Sequence, residues 1–199
     1  YSGNMTYMII KRFLDILVVF AASPLALPLM LITALAVRVE TPGPVLFIQD
    51  RVGQGGKTFR ILKFRSMTAD SGKRSSQFTV ENDKRITRVG AFIRRFRLDE
   101  IPQFWNIVIG EMSLIGPRPE QPAFVEKFST GIPFYDYRHT VKPGITGWSQ
   151  VTLGYVADEA STRDKLEFDL YYIKHQSFWL DMLIAIKTVK TVLTGFGAR

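Results

Sequence analysis

Asp99 and Glu100 are adjacent carboxylates inside Leu98-Asp99-Glu100-Ile101-Pro102, with Arg88, Arg94, Arg95 and Arg97 just upstream. Positive surroundings and the positive end of a helix dipole favour ionised carboxylates. An ionised carboxylate can attack phosphorus or carbon, or ligate a hard cation such as Mg²⁺. The same pair also suits an N-cap followed by a dipole-favoured glutamate, with no chemistry at all. Arg118 is clamped between Pro117 and Pro119. Two prolines stiffen the backbone and aim the guanidinium, as bidentate phosphate recognition requires; the alternative is a proline-rich turn carrying a solvated arginine. Lys63 and Arg65 fall on one side of an extended segment, an anion contact or an ordinary solvated face. Gly53-Gln54-Gly55-Gly56-Lys57 lacks the spacing of a phosphate loop and the hydroxyl residue after its lysine, and reads as a hairpin turn.

Other chemistries are excluded. The chain has no cysteine, so it carries no disulfide framework and no thiolate site. Its two histidines, His139 and His175, argue against a histidine-rich metal centre.

The elements that must position these residues are legible in the pattern. Thr41-Pro42-Gly43-Pro44 is a hard stop. Residues 45–49 and 58–64 are β-rich and flank the glycine-rich turn, which predicts a hairpin with Phe59 and Ile61 on its apolar side. Residues 70–83 read as a mobile polar loop. Val89, Phe92, Ile93 and Phe96 recur at helical spacing, predicting a basic helix over 87–96. A second helix is predicted from Asp99 through Phe104, Trp105, Ile107 and Val108 to Gly110, with Pro102 in its first turn. Gly116-Pro117-Arg118-Pro119 and Lys142-Pro143-Gly144-Ile145-Thr146-Gly147-Trp148 read as rigid loops. Residues 165–174 and 178–193 read as helices. In the latter, apolar Phe178, Trp179, Met182, Leu183, Ile186 and Val189 with Lys187 and Lys190 suit either an interfacial helix or one packed on the core.

Residues 13–37 form an apolar run long enough to cross a bilayer, yet it contains Pro24 and Pro28. Pro24 cannot donate to the Phe20 carbonyl. Ser23, preceding a proline, is displaced from helical geometry, and its hydroxyl can bond back to a freed carbonyl. Lys11 and Arg12 precede the run and Arg38 follows it. Positive charge marks the cytoplasmic side, and here both ends are basic. A hairpin that enters and leaves on one face fits this, as does a kinked span.

The net charge of +8 calls for an anionic partner: lipid headgroups, nucleotide phosphates or nucleic acid. The 199 residues support one domain plus a membrane element. The chain opens on Tyr1 rather than Met, the expectation for a piece of a longer protein.

Taken together the segments resemble the bacterial sugar transferases, the monotopic phosphoglycosyl transferases. The match runs from Lys11 to about Leu193. It comprises, in order, Lys11-Arg12-Phe13-Leu14-Asp15, Ser23-Pro24, Gly43-Pro44-Val45-Leu46-Phe47, Lys63-Phe64-Arg65-Ser66-Met67, Leu98-Asp99-Glu100 and Pro102-Gln103. Asn106, Met112-Ser113, Gly116-Pro117-Arg118-Pro119, Pro143-Gly144-Ile145-Thr146-Gly147-Trp148 and Phe168-Asp169-Leu170-Tyr171-Tyr172 complete it. In one place the pattern departs. Many small members carry Gly-Arg-Asn shortly after Gly-Trp-Ala-Gln-Val. Here Gly147-Trp148-Ser149-Gln150-Val151 leads into Thr152-Leu153-Gly154-Tyr155, with no arginine and with Ser149 in place of alanine. That continuation resembles the larger exopolysaccharide-initiating members, which have an N-terminal transmembrane region.

The resemblance implies transfer of a sugar-1-phosphate from a UDP-sugar to undecaprenyl phosphate, with UMP leaving. It implies a ping-pong scheme through a covalent phospho-sugar on Asp99. Glu100 is then its partner or a metal ligand, Mg²⁺ is the cofactor held by Asp99 and Glu100, and Arg118, Lys63 and Arg65 bind phosphate. It implies an α+β fold, mostly helical with a small β-hairpin. Residues 1–40 then form a re-entrant membrane helix broken at Ser23-Pro24, and 41–199 a cytoplasmic catalytic domain with a C-terminal interfacial helix. The expected place is the cytoplasmic face of the bacterial inner membrane, among membrane lipids, with homo-oligomers open to it and nucleic acid not a partner. Two other functions match the charge: a non-catalytic basic membrane-surface binder, and a nucleic-acid binder built on the arginine-rich helix. The apolar run disfavours the latter.

Overall fold

The computed structural model of the chain describes residues 5–68, 83, 85–153 and 159–194. Of the polar stretch 70–83, all but Asp83 lies outside the described residues, as do Gly154 and Tyr155. The described part is mostly helical with two small sheets, an α+β arrangement.

The apolar run lies in helix α1, Met5–Glu40, which carries Pro24 and Pro28 within it. The Ser23 hydroxyl donates to the Phe20 carbonyl at 2.7 Å, replacing the bond that Pro24 cannot make. Helix α1 is long and apolar enough to cross a membrane, and only 17% of its most apolar window is buried. A core helix of a soluble protein would be mostly covered. Its two ends are anchored on the rest of the chain. Near the start, Arg12 donates to the Ile107 and Val108 carbonyls at 2.5 and 3.0 Å, and Asp15 accepts from the Leu114 N–H at 3.1 Å. At the other end Glu40 accepts from the Val89 N–H at 3.1 Å, and Val37 packs with Phe64 and Ile93.

Strands β1, Leu46–Val52, and β2, Thr58–Phe64, form the predicted antiparallel hairpin, paired from Leu46↔Phe64 to Val52↔Thr58. Gly55 and Gly56 take φ of 68° and 74° in its turn, a conformation open chiefly to glycine. Phe59 and Ile61 point inward and join Val19, Ile107 and Met112 in a core cluster.

Helix α2, Arg88–Arg95, follows, capped by the Thr87 hydroxyl, which accepts from the Gly90 N–H at 2.8 Å. The second predicted helix is split. Leu98–Glu100 is a 3₁₀ turn entered through Arg97 at φ 57°, and α3, Gln103–Val108, starts only after Pro102. Asp99 therefore caps neither element; that expectation is corrected. Pro102 has no N–H to continue the turn.

Strand β3, Ser113–Ile115, pairs in parallel with β4, Gly144–Thr146, inside a segment that reads locally as a proline-glycine loop. Between them lie α4, Pro122–Gly131, and a 3₁₀ turn, Tyr135–Thr140. Helices α5, Trp148–Leu153, α6, Glu159–Lys174, and α7, Phe178–Thr194, complete the fold. On α7, Ile184 is buried beside Leu180 in a cluster with Ile115, Tyr172 and Ile173. Phe178, Trp179, Met182, Leu183, Ile186 and Val189 are exposed. The helix packs on the core with one stripe and presents an apolar face outward.

Candidate active site

The dyad sits on the 3₁₀ turn between α2 and α3, and both carboxylates are buried, Asp99 at 8% and Glu100 at 5% exposure. A buried carboxylate needs compensation or it takes up a proton. Glu100 is compensated directly. Its Oε1 accepts from Lys63 Nζ at 2.7 Å and from Arg118 Nη2 at 2.6 Å. Burial opposes its charge, but Arg118 and Lys63 outweigh it and hold Glu100 well below the usual carboxylate range. Asp99 accepts no hydrogen bond among the described residues. Burial, then the neighbouring Glu100 charge, push its carboxyl above the ordinary value, with Lys63, Arg94 and Arg118 offsetting part of the effect. The two adjacent acids are thus driven apart, one locked in an ion-pair cluster and the other with its ionised form disfavoured by burial.

Arg118 is held as its flanking prolines suggest, and the means are tertiary. Each carbonyl of Pro117-Arg118-Pro119 accepts a bond from a different element: from the Gly144 N–H at 3.0 Å, from Arg138 Nη2 at 2.9 Å and from Arg51 Nη1 at 3.0 Å. A side chain at Gly144 would put its Cβ 2.1 Å from the Gly116 nitrogen, so only glycine permits this approach. Behind the loop lies a polar cluster that motif reading missed. Glu120 pairs with Lys165, with Arg51 at 3.7 Å and with Arg138 at 3.9 Å. Arg138 also pairs with Asp169 at 2.8 Å and donates to the Tyr135 hydroxyl at 2.7 Å. Burial works against the Glu120 charge, but Lys165, Arg138 and Arg51 bring it down to about 2, and burial brings Arg51 down to about 10. Ser149, the departure from alanine, is buried and donates to Asp169 at 2.7 Å. Two buried charges at sequence positions 138 and 169 were the available signal, and nothing local paired them.

Of the five predicted site positions outside the membrane run's Ser23 and Pro24, Asp99, Glu100, Lys63 and Arg118 come together. Arg65 does not join them. Strand β2 ends at Phe64, and the Arg65 guanidinium donates to the Pro42 and Thr41 carbonyls at 2.9 and 2.7 Å and to the Thr41 hydroxyl at 2.8 Å. It closes the corner between α1 and β1. The hairpin turn at Gly53–Lys57 holds no part of the cluster. Among the described residues no group of three or more acidic or histidine side chains gathers around a common point. Two carboxylates fit Mg²⁺, which usually takes one or two protein carboxylates and completes its shell with substrate phosphate and water.

Over most of its length the chain is similar to known proteins. The chain is 58% identical over 193 residues, 97% of its length, to an Aeromonas hydrophila UDP-N-acetylgalactosamine-undecaprenyl-phosphate N-acetylgalactosaminephosphotransferase. It is 43% identical over 91% of its length to an Escherichia coli UDP-glucose:undecaprenyl-phosphate glucose-1-phosphate transferase, and 39% identical over 92% to a Caulobacter vibrioides protein of the same name. It spans 46% and 39% of the first two relatives and 70% of the third. The family described as bacterial sugar transferase matches residues 6–195, from α1 across the dyad and the clamped arginine to the end of α7. A match of that extent means that this chain belongs to the bacterial sugar transferase family.

Proposed function

We propose that the chain transfers a sugar-1-phosphate from a UDP-sugar to undecaprenyl phosphate, releasing UMP, at the first membrane step of exopolysaccharide or glycoconjugate synthesis. The observation that carries this reading is the geometry of the dyad: Lys63 and Arg118 both bond Glu100, and the neighbouring Asp99 carboxylate accepts no hydrogen bond among the described residues. An Asp99 oxygen attacks the phosphorus that bears the sugar. The bond from that phosphorus to the bridging oxygen breaks, and UMP leaves with the electron pair. A phosphate oxygen of the acceptor then attacks the same phosphorus, the bond to Asp99 breaks, and the carboxylate is restored. No net proton moves.

Nucleophile and both substrates are anionic, so countercharge has to be in place beforehand. Arg118, with one donor on Glu100, has further N–H groups for the donor diphosphate, and Lys63 donates to the same oxygen. Asp99 and Glu100 would hold Mg²⁺ together with that diphosphate; when bound, the ion supplies charge neutralisation on the phosphate oxygens. Burial of the dyad limits competing attack by water. The 58% identical relative makes UDP-N-acetylgalactosamine the first donor to try.

A re-entrant α1 on the cytoplasmic side of the bacterial inner membrane is part of the proposal. A straight helix of 36 residues is about 54 Å long, well beyond a hydrocarbon layer of about 30 Å, and as a span would put its ends on opposite sides. Arg12 and Glu40, near its two ends, both bond to the same body, which supports a bend at Ser23-Pro24. The exposed apolar face of α7 supports its lying at the interface among lipids.

The test is release of UMP from a panel of UDP-sugars with undecaprenyl phosphate and Mg²⁺. Asp99→Asn is expected to abolish it; full activity in that variant sinks the assigned nucleophile. Cysteines placed at Met5 and Val39 are expected to react with an impermeant reagent from the same side, and labelling from opposite sides would refute re-entry.

A further inference from the structure

Among the described residues, two that are not glycine take positive φ. Arg97, at 57°, turns the chain into the dyad. Phe134, at 63°, turns it into the 3₁₀ element Tyr135–Thr140. A bulky residue is strained in this region, and such strain persists only where the surrounding packing imposes it; it gathers at functional sites. The first stands beside Asp99 and Glu100. The second leads to Arg138, which is buried behind the loop that carries Arg118.

Every donor nitrogen at the tip of Arg138 is committed. Nη1 donates to the Tyr135 hydroxyl at 2.7 Å, and Nη2 donates both to Asp169 Oδ2 at 2.8 Å and to the Arg118 carbonyl at 2.9 Å. The guanidinium carbon lies 5.1 Å from the centre of the Tyr135 ring, which is itself packed among Phe128, Ile132 and Leu166. Asp169 is fixed in turn, its Oδ1 accepting from the Ser149 hydroxyl. The contacts run without a gap from Ser149 through Asp169 and Arg138 to the Arg118 backbone, and the Arg118 side chain continues them to Glu100.

The carbonyls of residues 117 to 120 are all held. The Gly144 and Val52 N–H groups take the outer two, and the side chains of Arg138 and Arg51 take the inner two. Prolines at 117 and 119 fix φ at those positions, and Pro119 confines Arg118 to extended backbone. The carbonyl beside the Arg118 Cα sets where its side chain leaves the loop, and Arg138 holds that one. Buried ion pairs add little net stability over apolar packing. The use of this one is geometric: a guanidinium gives a carbonyl, a carboxylate and a hydroxyl their donors from one rigid plane.

We infer that Arg138 is a positioning residue for the proposed transfer, acting through the Arg118 carbonyl, with Asp169, Tyr135 and Ser149 setting its plane. The inference rests on the phosphate role proposed for Arg118. With its backbone fixed, Arg118 keeps one donor on Glu100 and aims the others at the donor diphosphate. Released, it still pairs with Glu100 but meets the diphosphate out of register. Ser149, the departure from alanine, stands at the far end of the same line of contacts.

The experiment uses the full chain in lipid nanodiscs, with UDP-N-acetylgalactosamine, undecaprenyl phosphate and Mg²⁺. Arg138→Lys keeps the charge and loses the planar fork. It is expected to lower kcat/KM for the UDP-sugar about ten-fold, short of the roughly hundred-fold that about one ångström of misplacement can cost. In an Arg118→Lys background the same change should cost under about two-fold, because residues that act through one another are not additive. An unchanged kcat/KM in folded Arg138→Lys overturns the inference, as does an equal fall in both backgrounds, the mark of a merely structural effect. Tyr135→Phe, which removes one acceptor and keeps the ring, provides the same comparison if Arg138→Lys does not fold. A second measurement needs no turnover. In protein carrying isotope-labelled arginine, the NMR signal of the Arg118 Nε–H is assigned by its loss in Arg118→Lys. It is expected to be that of an ordered side chain in wild type and to average out in Arg138→Lys or Tyr135→Phe. A signal that neither variant moves overturns the inference. Absence of UMP release with every donor would instead count against the proposed reaction, and the Arg118 signal would still decide whether Arg138 positions that side chain.

Discussion

Glu120→Gln isolates the charge at the centre of the cluster behind Arg118. The carboxylate has Lys165, Arg51 and Arg138 around it, and its side chain is 15% exposed. Moving its pKa from 4.5 to about 2 corresponds to about 3 kcal/mol of stability at neutral pH. Leaving buried cations without their partner costs 3–5 kcal/mol in comparable cases, on the order of the same figure. For 199 residues at about 2.1 cal/mol/K each, that lowers the unfolding midpoint by roughly 8 °C. The sign with pH follows. The folded value lies below the unfolded one, so the stabilisation is complete above about pH 4.5 and disappears as pH falls toward 2. The assay is thermal unfolding of wild type and Glu120→Gln in one detergent, at pH 7 and through the acid range. A gap of several degrees at pH 7 that closes on acidification is expected. A gap under about 2 °C at pH 7, or one that widens below pH 4, would refute the reasoning.

Asp99 has its pKa raised by burial and then by Glu100, so ionising it works against folding as pH rises above the usual value of 3.8. Asp99→Asn should therefore raise the unfolding midpoint at neutral pH while removing turnover, and wild-type activity should fall off on the acid side at a pH above 3.8. Arg65→Ala removes three bonds to Thr41 and Pro42; it should cost about 2–3 kcal/mol in chemical unfolding and leave KM for the UDP-sugar unchanged, whereas a rise in that KM would return Arg65 to the phosphate contacts. Ser149→Ala takes one hydrogen bond from buried Asp169, which keeps Arg138; a loss of about 1–2 kcal/mol is expected by the same measurement.

Much of this protein is written locally. The hairpin follows from β-rich segments around a glycine turn, and α2 from the spacing of Val89, Ile93 and their neighbours under a threonine cap. The apolar run and its proline defect declare a membrane element, and the Ser23 bond that relieves the defect spans three residues. The acids of the dyad are adjacent, so their pairing needed no fold.

What folding decided involves residues distant in the chain. The unequal charge of the dyad depends on Lys63 and Arg118, 37 and 18 positions from Glu100. Arg65 shares a strand side with Lys63 by periodicity, but β2 ends between them and Thr41 and Pro42 together offer it three acceptors. Glu120, Arg138, Ser149 and Asp169 carry no local pattern, and the parallel pairing of β3 with β4 joins segments about 30 residues apart. The contact of α1 with α7, far apart in the chain, is made through Asp181, which accepts from Tyr7 and Lys11. A sequence declares what periodicity and adjacency can encode; burial, which pushes the Asp99 carboxyl above its ordinary value, is a property of the whole packed chain.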